Sequence, residues 1–476
     1  MSYDDDNDIY SDKIIEDDNN ITKSNKDISN ITENVAFKSE DDDFMIKEME
    51  VVKESRVSYF GIYSDTKFSA IINLTSSAIG GGCLNFPAII TSIGLPLTIV
   101  IFLFVSLSIY YTINLLRYFV VDTKLFSFAL MTNEILGKKW LKIYAICSLI
   151  YYISIEIHYL DMIYTIVSQM NVLNGEYEPI LNLAYFAISI IIEIFICSYI
   201  AKTKRTHLFS LISSFFFIIV LIIIIMQGIK NLISGKRHFE KEILFGDQIE
   251  NKMQFCLRIM TFIIEYLYGY SYHSSYPTLL KNLRIVDDQN TKIVNIISFI
   301  YIFITYFLVT FFGYFTIHPV SAIIEKPIGQ KIVVIIIFRI VLCLFILSVI
   351  PLRFIVIRDN YSSLIRRNER KKKISFKRDL IHVIIILLFC NLIVFLKTRA
   401  IIFLNNGMTI ITIFGGIFGV IIGFILPVIN YIGANGKTKV KSIIGYVLAG
   451  IFSVIGLLSV GYSIFEQINL NNKTKN

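Results

Sequence analysis

The sequence predicts an all-α polytopic membrane protein with about eleven transmembrane helices, and three observations predict it. The chain is 55% hydrophobic and only 17% charged over 476 residues, with a mean hydropathy of +0.64. A soluble domain of this length could not hide so much apolar surface, because the buried fraction rises slowly with size. Several apolar runs exceed the roughly 18 residues that mark a bilayer-spanning helix. Those runs are separated by short breaks rich in charge, Pro or Gly.

Taken in order, the apolar runs fall at about 68–94, 97–120, 140–169, 179–200, 207–229, 254–280, 293–317, 331–357, 378–397, 407–432 and 441–465. Segments one and two are tightly joined by "GLPLT", where Pro96 suits a helix start. The expected organisation is a disordered acidic cytoplasmic tail over 1–60, a transmembrane domain over 61–466 and a short C-terminal tail over 467–476.

The formal net charge of +8 conceals a split. Through Asp43 the chain carries fourteen acidic residues against four lysines, a net −10 that leaves +18 for the rest. An acidic, Asn-rich stretch nearly free of aromatics reads as solvated and disordered. The positive remainder is spread over loops, which suits anionic lipid headgroups and gives no expectation of a nucleic-acid partner. With the N-terminus cytoplasmic, the inner loops hold 21 Lys and Arg and the outer loops 9. Nine of the inner ones lie between Arg358 and Arg378, so orientation leans on one loop. The C-terminus is then external or lumenal, in a plasma membrane or an internal vacuolar or lysosome-like membrane.

All six cysteines lie in apolar segments without CxxC spacing, so they read as core residues; no disulfide, metal or cofactor is expected. The acidic N-terminus lacks an apolar stretch, so no cleaved signal peptide is expected.

Segment one breaks the pattern. "SSAIGGGCLNFPAII" puts three adjacent glycines at mid-membrane and a proline five residues later. Gly and Pro are the poorest helix formers, and lipid penalises unpaired backbone, so a break persists only beside protein or a polar cavity. An interrupted helix presents free N–H groups on one side and free carbonyls on the other, suited to an anion and a cation. Close helix packing explains "GGIFGVIIGF", whose Gly415, Gly419 and Gly423 share one face. It does not explain three consecutive glycines pointing three ways. Segment six is the natural partner: "IIEYLYGYSYHSSYPTLLKNL" contains Gly269, Ser271, His273, Ser274, Ser275 and Pro277. Paired interruptions suggest inverted repeats over 68–229 and 254–432, with the helix at 441–465 additional.

These residues resemble the amino acid/auxin permease family, which includes the sodium-coupled neutral and vesicular amino acid transporters of the APC superfamily. In segment one, Asn73, Gly80, Gly82, Leu84, Pro87 and Ala88 are similar to that family's Asn-Leu, Gly-x-Gly-Ile-Leu and Pro-Tyr-Ala pattern. His273 and Pro277 resemble its His-x-x-x-Pro signature, and Arg339, Pro351 and Arg358 keep its spacing in segment eight.

The resemblance implies a LeuT-like 5+5 inverted repeat plus one helix, and secondary active transport of amino acids by alternating access. It implies amides around Gly80, Gly81, Gly82 and Cys83 for the substrate carboxylate. Carbonyls near Ser76, Ser77, Ala78 and Ile79, and of Tyr268, Gly269, Tyr270 and Ser271, would take the ammonium. Tyr270, Tyr272 and His273 would shape the side-chain pocket. Sodium-coupled members use an Asn in helix one and a Thr in helix eight. Here Ser76 stands at the first position, and Leu347 or Val349 at the second with Ser348 adjacent. That departure favours proton coupling or sodium independence over sodium coupling.

Mid-membrane acids are costly and therefore functional candidates. Segment three carries Glu156, His158 and Asp161, of which His158 and Asp161 share a face. Asp161 and Glu265 are coupling candidates, with Ser348 as a possible ion ligand. Glu193 reads as a structural lock, and Arg339 as the basic partner.

An enzyme is not expected: the chain has no HExxH, no GxSxG and only six histidines. No P-loop is present for ATP-driven transport. Two alternatives remain open. One is a metal-ion transporter of the same fold, for which "SSAIGGG" offers no acidic or thioether ligand. The other is an amino-acid sensor signalling through its acidic tail.

Overall fold

The computed structural model of the chain describes residues 58–59, 62–63, 66–169, 191, 206–235, 252–270, 272–281, 283–316, 332–365, 376–398, 412–435 and 439–475. The expected acidic tail apart from Ser58 and Tyr59, nearly all of the fourth segment with Glu193, and Ser271 lie outside the described residues.

A short antiparallel pair comes first, β1 (Ser58–Tyr59) with β2 (Ile62–Tyr63), Ser58 opposite Tyr63. Everything else regular among the described residues is helical. Thr66 opens α1 (Lys67–Ala78) by accepting the Ser69 amide on its hydroxyl at 3.2 Å. A 3₁₀ turn (Gly81–Asn85) and α2 (Pro87–Ile93) follow. Gly94, at φ +81°, makes the corner into α3 (Leu95–Thr123), a backbone conformation that favours glycine, with Pro96 in the first turn.

A short helix α4 (Phe128–Leu136), not anticipated from the hydropathy pattern, fills the connection to α5 (Lys138–Gln169). Nine residues are too few to span lipid, so the apolar-run criterion passes over such an element. Then come α6 (Thr206–Ile233), α7 (Lys252–Tyr270), α8 (Tyr276–Leu280), α9 (Asp288–Thr316), α10 (Ile332–Ile365) and α11 (Phe376–Thr398). Two π-helical turns, Gly415–Gly419 and Ile421–Ile425, lead into α12 (Leu426–Asn435), and α13 (Lys439–Lys475) ends the chain.

Seven of the described helices are long and apolar enough to cross a membrane. Of these, α5 is the most enclosed, with 72% of its apolar stretch buried, whereas α6 and α13 each bury 28%. The enclosed helix therefore runs through the interior, and the other two present their apolar flanks outward as lipid requires. Helix α10 packs on α5 and α6, α9 on α6 and α1, and α7 on α13. The buried Arg117 of α3 pairs with Asp288 at the start of α9 at 2.6 Å, fixing those two spans together.

The glycine face of the span before α12 serves close approach. A Cβ on Gly415 would lie 3.0 Å from the Tyr268 ring, and one on Gly419 would lie 3.2 Å from the Tyr151 ring. One on Gly423 would sit 3.5 Å from His273. Three glycines at four-residue spacing thus bring one helix onto three residues of two neighbouring spans.

Candidate functional site

Both spans that the sequence marks as interrupted are interrupted. Helix α1 stops at Ala78; Ile79 (φ −71°, ψ 110°) and Gly80 (φ −132°, ψ 178°) are extended before the 3₁₀ turn begins. The cause is local. A glycine run has little helical preference, and Pro87 restarts a helix at a position where its missing N–H costs nothing. Among the described residues, no backbone bond outside the helices uses the N–H of Gly80, and Gly81 and Gly82 open the 3₁₀ turn, where the first N–H groups have no preceding carbonyl within the helix. Helix α7 stops at Tyr270, and Tyr272–Ser275 turn before α8. There the Tyr272 carbonyl accepts the amides of Ser275 at 3.2 Å and Tyr276 at 3.0 Å.

The two breaks face each other. A Cβ on Gly82 would have the Gly269 Cα at 3.9 Å as its nearest neighbour. The Ser275 hydroxyl donates to Ser77 Oγ at 3.4 Å. Across the junction, the Tyr306 hydroxyl of α9 lies 2.8 Å from the Ala78 carbonyl and 2.7 Å from the Gly269 carbonyl. A second tyrosine, Tyr151 of α5, donates to the Tyr268 carbonyl at 3.1 Å. Carbonyls that a continuous helix would satisfy internally are thus met by tyrosine hydroxyls from neighbouring spans.

On the opposite side of the first break, the Tyr159 hydroxyl lies where a side chain on residue 80 would begin. A Cβ on Gly80 would overlap that hydroxyl and stand 2.8 Å from Cζ, with an Arg353 terminal nitrogen at 3.6 Å. Gly80 is glycine for this approach, since its extended backbone is open to any residue. Arg353, midway along α10, is 4% exposed, and its guanidinium carbon sits 5.9 Å from the Tyr152 ring centroid. The hydroxyls of Tyr152 and Tyr159 lie within electrostatic reach of the guanidinium.

Of the residues singled out in the sequence, Ala78, Ile79, Gly80, Gly81, Gly82, Cys83, Tyr268 and Gly269 lie at or beside the junction. Cys83 turns its thiol onto the Gly80 carbonyl at 3.1 Å. Ser76 faces α6, donating to the Ser210 carbonyl at 2.9 Å and lying 2.8 Å from Ser214 Oγ. Ser77 donates to Leu74 O at 2.8 Å. Tyr270 packs against Tyr306 at 4.9 Å between ring centroids, and Tyr272 is buried beside Tyr276. His273, fully buried, has its Nε2 2.8 Å from Thr112 Oγ1 of α3.

The coupling candidates are dispersed. Asp161 is half-buried on α5, whereas Glu265 is 5% exposed with Glu466 of α13 within electrostatic reach. Ser348 donates to the Phe345 carbonyl of its own helix at 2.6 Å. Arg339 is half-buried on α10.

Tyr151, Tyr159, Tyr306 and Arg353 were not singled out from the sequence. For Arg353 a signal existed. It interrupts the apolar stretch "CLFILSVIPLRFIVI", and a mid-membrane cation is as costly as a mid-membrane acid. The tyrosines, three among 27 in the chain, carried none.

The profile of a family described as transmembrane amino acid transporter protein matches residues 64–468. No curated protein matches the chain. Among solved structures, a Na⁺-coupled sialic acid symporter in a substrate-bound outward-open state is similar with a TM-score of 0.53 at 12% identity. That match covers 88% of this chain and 95% of the other. The manganese transporter of Eremococcus coleocola is similar with a TM-score of 0.53 at 10% identity, covering 84% and 87%. At such identities the likeness establishes the LeuT-like fold. Family and fold are those of transporters.

Proposed function

The chain belongs to the transmembrane amino acid transporter family, and on that premise we propose that it moves amino acids across a membrane by alternating access, with substrate held between the two breaks. One observation carries the site: carbonyls from both interrupted helices, Ala78 and Gly269, converge within hydrogen-bond reach of the single Tyr306 hydroxyl. A substrate ammonium has three donors and a full charge, and could engage the same carbonyls. The Gly80 amide, and those of Gly81 and Gly82 that open the 3₁₀ turn, suit the carboxylate. An α-amino acid brings both charges on one small molecule. Tyr270, Tyr272 and His273 would bound the space for its side chain.

Coupling to protons, or independence from sodium, is the accompanying proposal. It is supported by Ser76, whose hydroxyl bridges α1 to α6, and by Ser348, whose hydroxyl bonds within its own helix. Asp161 and Glu265 are the proposed proton carriers. The loop charges support a cytoplasmic N-terminal tail.

The test is uptake of radiolabelled amino acids into proteoliposomes, with sodium replaced by choline and with an imposed pH gradient. Uptake that persists in choline and grows with the gradient supports both proposals. Uptake abolished without sodium overturns the coupling proposal, and no uptake of any amino acid overturns the transport proposal.

A further inference from the structure

Arg353 raises a problem that the backbone dipoles of the breaks do not solve. Its side chain is 4% exposed, and among the described residues no carboxylate lies within 4 Å of it, unlike Arg117 with Asp288. Its Nε has no hydrogen-bond partner. The groups around the guanidinium are tyrosines, whose neutral hydroxyls and ring faces solvate a cation without neutralising it. Glu156, on the facing helix, lies within electrostatic reach of the Tyr159 hydroxyl. Burying a cation with no carboxylate within 4 Å among the described residues is costly, and more so within lipid. A role confined to joining α5 and α10 would be met by a neutral donor such as Gln, without that cost.

Position supplies the rest. A terminal nitrogen of Arg353 lies 3.6 Å from where a Cβ on Gly80 would begin, beside one of the amides left unused by the first break. We propose that Arg353 is the cation that pairs with the substrate carboxylate, completing with the Gly80–Gly82 amides one anion-binding half of the site. This deepens the transport reading above and rests on it. The ligand class narrows accordingly to α-amino acids with a free, ionised carboxylate; their amides and amino alcohols are excluded. A guanidinium can present two parallel donors to a carboxylate, which a lysine ammonium cannot reproduce.

The experiment uses the full-length protein in proteoliposomes and whichever of the twenty labelled amino acids gives the greatest wild-type uptake. Its own carboxamide and amino alcohol serve as competitors. The carboxamide retains an oxygen for the glycine amides and loses only the charge. On the wild type it should compete about tenfold or more less well than the acid, since charged hydrogen bonds are the stronger class. Arg353→Gln should raise half-saturation by about tenfold or more and bring acid and carboxamide within about threefold, with Arg353→Lys recovering part of the difference. The wild-type comparison needs no variant, so a misfolded Arg353→Gln leaves the proposal testable. Equal competition by acid and carboxamide on the wild type, or unchanged half-saturation in Arg353→Gln, overturns the role of Arg353 alone. Absence of wild-type uptake for all twenty overturns the transport reading, and this proposal with it.

Discussion

The Tyr306 hydroxyl of α9 lies within hydrogen-bond reach of carbonyls on both sides of the junction, Ala78 at 2.8 Å and Gly269 at 2.7 Å, so a single hydroxyl ties the ends of two helices that the chain separates widely. One hydroxyl proton cannot satisfy both carbonyls at once, so the pair retains acceptor capacity for a better donor. Tyr306→Phe should destabilise the empty protein by about 1–3 kcal/mol, the cost of leaving a buried acceptor unmet. Substrate should then restore more thermal stability to the variant than it adds to the wild type, because its ammonium supplies the missing donor. Equal substrate-induced shifts in a thermal-unfolding assay would separate the Tyr306 carbonyls from the binding site.

Gly80 and Gly82 differ in what surrounds them, so their substitutions should differ. In Gly80→Ala the new methyl collides with the Tyr159 hydroxyl and ring, next to Arg353, and amino acid uptake should be lost. In Gly82→Ala the nearest atom is the Gly269 Cα at 3.9 Å, an ordinary contact, so uptake should persist. Comparing initial uptake rates at matched protein density checks this. Equal effects at both positions would mean that low helix propensity, and not close approach, accounts for the glycines.

Gly269 faces Phe86 across the junction. A Cβ there would lie 2.8 Å from Phe86 Cζ, and that ring is already packed against Tyr266 at 4.4 Å and Tyr306 at 5.4 Å between centroids. Gly269→Ala should therefore cost about 1–3 kcal/mol by overpacking. Phe86→Leu should relieve much of it, so that the double variant is more stable than the two single effects would sum to. Strict additivity in thermal-unfolding measurements would show that the two breaks do not bear on each other.

Glu265 tests the proton. In Glu265→Gln, uptake driven by an imposed pH gradient should fall at least about tenfold, while exchange of labelled for unlabelled amino acid across the liposome should remain near wild type. Exchange requires the loaded carrier to reorient and needs no net proton movement. A variant that still concentrates substrate when driven by the imposed pH gradient would remove Glu265 from the coupling path and leave it as a group packed toward α13.

The chain by itself determined that it crosses the membrane many times, and where two of those crossings fail to be helices. Both are local matters. Apolar length sets a span, and the run Gly80-Gly81-Gly82, like Gly269 with Pro277, withholds helical propensity from residues that nothing distant could force back into a regular helix. What lies around the breaks was decided only by tertiary structure. Tyr151, Tyr159 and Tyr306 look like any other tyrosine in an apolar helix until packing brings their hydroxyls to Tyr268, Gly80 and Ala78. Arg353 could be flagged as a cation at membrane depth, but its surround of tyrosines and its approach to Gly80 depend on how α10 lies against α5 and α1. The same holds for Ser76, which by sequence stood at an ion position and by packing reaches α6. Propensity and hydropathy are summed along the chain, whereas charge compensation and close approach are properties of neighbours the sequence does not order.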